Sequence, residues 1–425
     1  MNFSKRQIII FGGIAFLIII VVLIFVFGQR PAPPPEVKLT IWGIEPKTNF
    51  DPLISAYKAL RPNVKIEYQQ LEENNYRQKV LDALASGSGP DIFMIQNKTL
   101  LKDISKIYPA LSTQFNLAQL RQFFPQVVED DFVYNNNIYA LPLYIDSLAL
   151  FYNNDYFNKA GLVYPPATWD DFALYAQKLK VLNLNNEIVQ AGAAMGSSEK
   201  NIFYATDILK LLLKQSGYFL FDVVKGVDFG SKSNGEKVLN FYSSFANPQT
   251  SNYTWPRNFE DSISAFSSSK VAMIFAYQKD ISQILNKNPY LNFSIAPVPQ
   301  IKDSNISYAY ANYWALTVSA QSKNPTWAWD FIIYSATNNN SVSTYLTASG
   351  KPPALRSEIS KYLSDPNLKT FASQALISRS WQEPDMDKIR EIFNNVIDGV
   401  LNNKFSAFEG IKLAEEQAGQ IMRNY

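Results

Sequence analysis

Asp146 is an isolated carboxylate between two short apolar runs, 138–144 and 148–152, in the stretch YNNNIYALPLYIDSLALFYNN. Two further sets of hydrogen-bonding side chains stand just beyond segments that read as buried strands. Glu45 and Lys47 follow VKLTIW (Val37–Trp42), and Gln96 and Asn97 follow Ile92–Ile95. An acid, a fixed cation and amides can between them accept from and donate to a rim of hydroxyl groups. The plainer alternative is that these are solvated loop charges and turn amides. The chain has no cysteine and no histidine. That removes disulfides, thiolate nucleophiles, zinc sites built on Cys or His, and any Ser–His–Asp relay.

The elements that must position these side chains follow from pattern. From Val37 strand and helix alternate: Val37–Trp42, a helix over 50–60, a strand over 64–68, a helix over 76–85, then the strand Ile92–Ile95. That order predicts a parallel sheet with right-handed crossovers. The glycine-rich LASGSGPD precedes a strand where a phosphate loop must precede a helix, and GSKSNGEK (230–237) lacks a lysine directly after its second glycine, so neither reads as a nucleotide site. After Asp146, Asn153–Asn154 form a turn, and Gly161 and Pro165–Pro166 break the chain. Thr168 and Asp171 have capping-box spacing ahead of a helix whose Trp169, Phe172, Ala173, Ala176 and Leu179 share one face.

Residues 181–296 read as helical with short polar breaks, Ile202–Lys214 being mostly interior. Pro325 suits the first turn of a helix, where its missing N–H is harmless, with Trp327, Ala328, Phe331 and Ile332 on one face. Residues 358–425 read as helices, with Ile389, Ile392, Phe393, Val396 and Val400 aligned for packing.

A chain of 425 residues with 47% apolar residues can bury two cores. Its 24 Tyr and 29 Phe are expected mostly in those cores, with a handful left to line a cleft. The net charge of +2 arises from 39 basic and 37 acidic residues, interspersed, so there is no electrostatic footprint for nucleic acid. Between Ile8 and Phe27 runs an uncharged apolar segment long enough to span a bilayer, preceded by Lys5 and Arg6. This predicts a retained single-pass anchor over residues 1–30, with a cytoplasmic N-terminus and an extracytoplasmic globular part. The rival is a cleavable signal peptide, but no small-x-small site follows Phe27. Residues 31–36 begin PAPPP and read as a stiff spacer.

Tyr139, Pro142, Asp146, Tyr152, Asn153, Asp155, Phe157, Gly161, Leu162, Pro165, Pro166, Thr168, Trp169 and Asp170 form a string that resembles the extracellular solute-binding proteins of ABC importers, the family that includes maltose-binding protein. Further matches are LASGSGPDIFMI, the helix–turn–strand 262–279 with Ser269 where the family has Gly, the segments 310–319 and 322–335, and GKPPALR (350–356). Together they cover almost everything from Val37 to about Leu413. The resemblance implies an α/β fold of two lobes joined by three crossings. Lobe 1 is 37–145 plus about 311–350, and lobe 2 is 146–310 plus about 351–425. It also implies capture of a sugar or oligosaccharide by lobe closure and delivery to permease subunits that draw on ATP hydrolysed elsewhere.

By the same resemblance Asp146 binds ligand hydroxyls at the hinge, and Glu45 and Lys47 lie in the first ligand loop. Tyr277 and Gln278 stand where relatives place a stacking Trp, and Tyr313 and Trp314 where relatives expose an aromatic. Only one of that last pair can face the cleft, and Trp314 is the preferred one. Trp255, Arg356 and Trp381 complete the candidates. The expected protein is a monomer without cofactor, metal or catalysis. The alternatives are a surface glycoside hydrolase, and a sensor or adhesion module for another small polar ligand.

Overall fold

In the computed structural model, residues 4–28, 35–222, 226–383 and 385–423 are described. The strand Val37–Gly43 anchors the first sheet, its inward residues alternating with partly exposed ones. It pairs in parallel with Val64–Gln70 from Val37↔Val64 to Gly43↔Gln70, and with Ile92–Gln96 through Ile41↔Ile92. Ile92–Gln96 is buried along nearly its whole length, as expected of a strand covered on both faces. Helices Lys47–Leu60 and Glu73–Ala85 supply the crossovers. The strand Trp314–Ser319 returns much later in the chain, antiparallel to Ile92–Gln96, and sets Trp314 opposite Gln96.

The second sheet has the order Phe293–Ala296, Ala149–Asn153, Val271–Ala276, Ile188–Ala193, Val181–Leu182. Val271–Ala276 is buried at every position. The sequence reading of 181–296 needs correction here, because Ile188–Ala193 is a central strand parallel to Val271–Ala276. The helix packed on it is Trp169–Leu179, whose Thr168–Asp171 capping box is formed as expected. A Cβ at Gly192 would sit 1.7 Å from the carbonyl oxygen of Ala176, so only glycine lets that helix lie this close. Ser269, in the family's glycine position, takes φ 58° and offers its carbonyl to the Tyr156 hydroxyl.

Each sheet has its own apolar core. One gathers side chains from 37–145 and 311–359, the other from 148–310 and from Leu368 onward. Residues 351–359, which the sequence reading assigns to the second lobe, carry Ala354, Leu355 and Ile359 into the first core. Helix Lys369–Ala375 serves both cores, with Phe371 in the second and Ala372 and Ala375 in the first. The chain segments that connect the lobes pair with one another: Leu148 N–H donates to Tyr310 O, Asn312 N–H to Asp146 O, and Ile145 N–H to Pro352 O.

The described side chains of the N-terminal helix, Lys5–Gly28, contribute to neither core, and Ile9 is 73% and Leu17 64% exposed. Among the described residues no helix is long and apolar enough to cross a membrane; side chains of this helix are described only up to Val21. The expected span to Phe27 is therefore not established by the described residues. The proline spacer lies largely outside them.

Candidate functional site

A cavity of about 390 Å³ opens between the lobes. The first lobe contributes Glu73, Gln96, Lys98 and Asn312; the second contributes Tyr204, Asp207, Lys210 and Glu383 among others. Gln96 ends a strand, and its side-chain amide donates to Asn312 Oδ1 at 2.6 Å, which fixes both amides on the first wall. The second wall is built on helix Ala205–Gln215, buried from Ala205 through Leu213. Charged groups on such a helix need partners, and they have them. Asp207 sits 3.2 Å from the Lys98 ammonium across the lobe boundary and accepts from the Tyr277 hydroxyl at 2.8 Å. Lys210 lies 2.9 Å from Glu383, which also accepts from the Tyr310 hydroxyl at 3.1 Å. Burial opposes ionisation of both residues, but charge pairing outweighs it. Lys98 and Lys210 hold Asp207 below the usual carboxylate range, and Glu383 and Asp207 hold the Lys210 ammonium above its own.

Tyr204 caps this helix at φ 62°, ψ 22°, a left-handed conformation that a bulky side chain rarely adopts. Strain of this kind, about 1–3 kcal/mol, persists only where the surroundings over-determine it. Here the Tyr204 hydroxyl donates to Asp280 at 2.9 Å, and the ring meets Tyr277 edge-on at 4.7 Å. The result is a half-buried ring, rigidly held in the cleft wall beside the 39% exposed Phe203.

The residues singled out from sequence divide sharply. Gln96 lines the cleft. Trp314 is half-buried just beyond it, whereas Tyr313 is wholly buried with its hydroxyl on Asp131 at 2.7 Å. Asp146 does not line the cleft. It is 4% exposed, and its carboxylate accepts the backbone N–H groups of Ser147, Gln278 and Lys279. Burial outweighs those bonds and, with help from nearby Asp280, pushes its carboxyl up to about 7. Its task is to pin the end of Val271–Ala276 to the hinge. Gln278 reinforces that hinge by donating to Gly350 O at 2.8 Å.

Glu45 is likewise engaged, by the Tyr345 hydroxyl and the Lys351 ammonium at 2.9 Å, and Lys47 is exposed at the start of its helix. Asn97 is fully buried, bonded to Asp131 and the Tyr313 N–H. Tyr277 stands behind Tyr204 as its support and leaves Tyr204 to face the cleft. Trp255 packs in the second core against Phe259, and Trp381 lies in that core with the Lys214 ammonium 5.9 Å from its ring centre. Arg356 lines a separate cavity with Asn338, Asn339 and Asn340, and its Nε donates to Phe124 O.

Sequence reasoning missed Lys98, Tyr204, Asp207, Lys210 and Glu383. One signal was available: Asp207 and Lys210 interrupt the otherwise apolar IFYATDILKLLLK, and charges on an interior helix imply a polar site or a buried partner.

The model of the bacterial extracellular solute-binding protein family matches residues 43–340. Among curated relatives, a putative binding protein of Brucella abortus is 23% identical over 62% of this chain, and the match spans 63% of that relative's length. A maltotriose-binding protein of Pyrococcus abyssi is 22% identical over 91% of this chain and 82% of its own, and the sn-glycerol-3-phosphate-binding periplasmic protein of Escherichia coli K12 is 21% identical over 88% and 89%. Among solved structures, the cyclic alpha-maltosyl-1,6-maltose binding protein of Arthrobacter globiformis superposes with a TM-score of 0.78 at 18% identity, covering 92% of this chain and 100% of that one. A cyclo/maltodextrin-binding protein complexed with maltotetraose gives 0.76 at 18% identity, covering 92% and 98%. With two cores joined by a paired hinge around a polar cleft, and a family match across most of its length, the chain belongs to the bacterial extracellular solute-binding proteins.

Proposed function

We propose that this protein captures a carbohydrate in the cleft between its lobes and hands it to the permease of an ATP-driven importer. The observation that carries the reading is the cleft lining: side-chain amides, carboxylates and ammonium groups held by one another, beside a clamped tyrosine ring. Such a surface can cover the C–H face of a sugar while its polar groups address the hydroxyls. The two buried ammonium groups, Lys98 and Lys210, each face a carboxylate. This favours a neutral polyhydroxy ligand over a phosphate ester or a polyamine, which would need an excess of one charge. The names of the maltotriose-binding relative and the maltotetraose-bound neighbour support the same choice. A hydrolase is less favoured. It requires, within the cleft, an acid that protonates the leaving oxygen, and Asp207, held ionised by Lys98 and Lys210, does not suit that role.

The proposal extends to anchoring. Helix Lys5–Gly28 is 24 residues, roughly 36 Å at 1.5 Å per residue, against a hydrocarbon core of about 30 Å. Its described apolar side chains, from Ile9 to Val21, are exposed, and its charges cluster at Lys5 and Arg6. Alkaline washing of membranes should leave the chain in the pellet; its release into the wash would remove the anchor.

Thermal shift of the full chain against a carbohydrate panel tests the binding reading, since a ligand specific to the folded form raises the melting temperature. At least one saccharide is expected to do so, with the shift lost in Tyr204→Ala. A flat response to every saccharide would refute it.

A further inference from the structure

The polar cleft runs into an apolar groove of the first lobe. Gln96 and Met386 line both. Beyond them the groove is walled by Tyr76, Leu81 and Leu84 of helix Glu73–Ala85, by Met94, and by Trp314. Its rings are fixed. Tyr76 meets Trp314 edge-on at 5.5 Å, while its hydroxyl donates to Trp42 O at 2.9 Å and accepts the Met94 N–H at 2.7 Å. The polar atom of Tyr76 is thus engaged by strand backbone. At the rim Arg77 and Lys106 both turn to Asp103, at 2.7 and 3.7 Å. The groove holds about 50 Å³, against about 10–15 Å³ needed for one water. Thr99 also lines the groove, but its hydroxyl donates to Gln96 O, so a sugar hydroxyl set against the rings would lose water with little to replace it. An alkyl or aryl group would gain from leaving water, and the unbranched thioether of Met386, reaching over from the second lobe, can adapt to its shape.

We propose that this groove is a subsite for an apolar substituent on the cleft ligand, so that the preferred ligand is a glycoside carrying a short alkyl or aryl aglycone. The inference rests on the carbohydrate reading of the cleft and adds a substrate class to it.

Titration calorimetry on the full chain, comparing maltotriose and mannobiose with their phenyl glycosides, tests it. At least one phenyl glycoside is expected to bind about fivefold or more tighter than its free saccharide. Leu81 is half-buried on the groove wall and outside the cleft lining. Leu81→Glu should abolish the preference while leaving the free saccharide's Kd unchanged, and Leu81→Met should retain it. Equal affinities for free and phenyl forms in the parent chain, or a preference that survives Leu81→Glu, would overturn the subsite while leaving the carbohydrate cleft standing. Binding of none of these probes, together with a flat response to every saccharide of the panel, would overturn the cleft reading and the subsite together.

Discussion

Asp131 and Asp146 are two buried carboxyls whose ionisation is opposed by their surroundings. Asp131 is 1% exposed, bonded to Tyr313, Asn97 and Ser380, and burial pushes its carboxyl up to about 7, as it does that of Asp146. In the folded chain each keeps its proton until about pH 7, whereas unfolded it releases it near 4. Between those limits the folded state binds more protons, so the stability contributed by these residues is fully present below about pH 4 and is lost as pH rises to about 7. Urea denaturation should show Asp131→Asn flattening that decline. An unchanged slope would mean Asp131 is already ionised in the folded state. Asp146 also shows where sequence reading stops. Its place beside the hinge came from the family resemblance carried by Pro142 and its neighbours, but its orientation toward Gln278 and Lys279 depends on a strand more than a hundred residues away. No local pattern encodes that.

At the scale of elements, the first lobe was largely readable because its strands and helices carry their periods cleanly, and the cap at Thr168 and the first-turn Pro325 appear where expected. The strand Ile188–Ala193 was not. Its sequence, IVQAGA, is short, has no polar alternation and contains a glycine, features equally at home in a loop. The glycine is explained only by the tertiary contact: Gly192 must admit the Ala176 carbonyl. Gly192→Ala should therefore destabilise by about 3 kcal/mol or more, because backbone must move; a loss under 1 kcal/mol in urea denaturation would show that the helix shifts freely. Tyr204→Phe keeps the ring and its edge contact with Tyr277 but removes the bond to Asp280. It should lose about 1 kcal/mol of stability and retain most ligand affinity. A collapse of affinity in that variant would assign recognition to the hydroxyl rather than to the ring.

Across the whole molecule, the ion pair between Lys98 and Asp207 is the most buried charged contact between the lobes described above, with side chains 5% and 9% exposed. Removing Lys98 takes from Asp207 its nearer cation and leaves it the Lys210 ammonium at 3.8 Å and the Tyr277 hydroxyl, a loss of up to about 3 kcal/mol for a buried pair unless the site opens to water. Lobes joined by a hinge have that option. Lys98→Met is expected to shift the chain toward a more open form, seen as a larger radius of gyration in solution scattering, and an unchanged radius would show that the hinge bonds alone set the angle. Both halves of this clamp were foreseeable from composition and topology. The chemistry inside it was not, because the cleft is assembled from residues such as 73, 96, 98, 204, 207, 210, 312 and 383, which only the fold brings together.

The account turns on those lobes closing over a sugar. The chain contains no cysteine, so Asn340→Cys and Leu184→Cys, exposed on the first and second lobes, give two unique label sites. Pulsed electron spin resonance on the doubly labelled full chain, titrated with the carbohydrate panel, should show at least one saccharide converting the interlobe distance to a single altered and narrower distribution, an effect that Tyr204→Ala suppresses. Distributions that stay the same with every saccharide would contradict it.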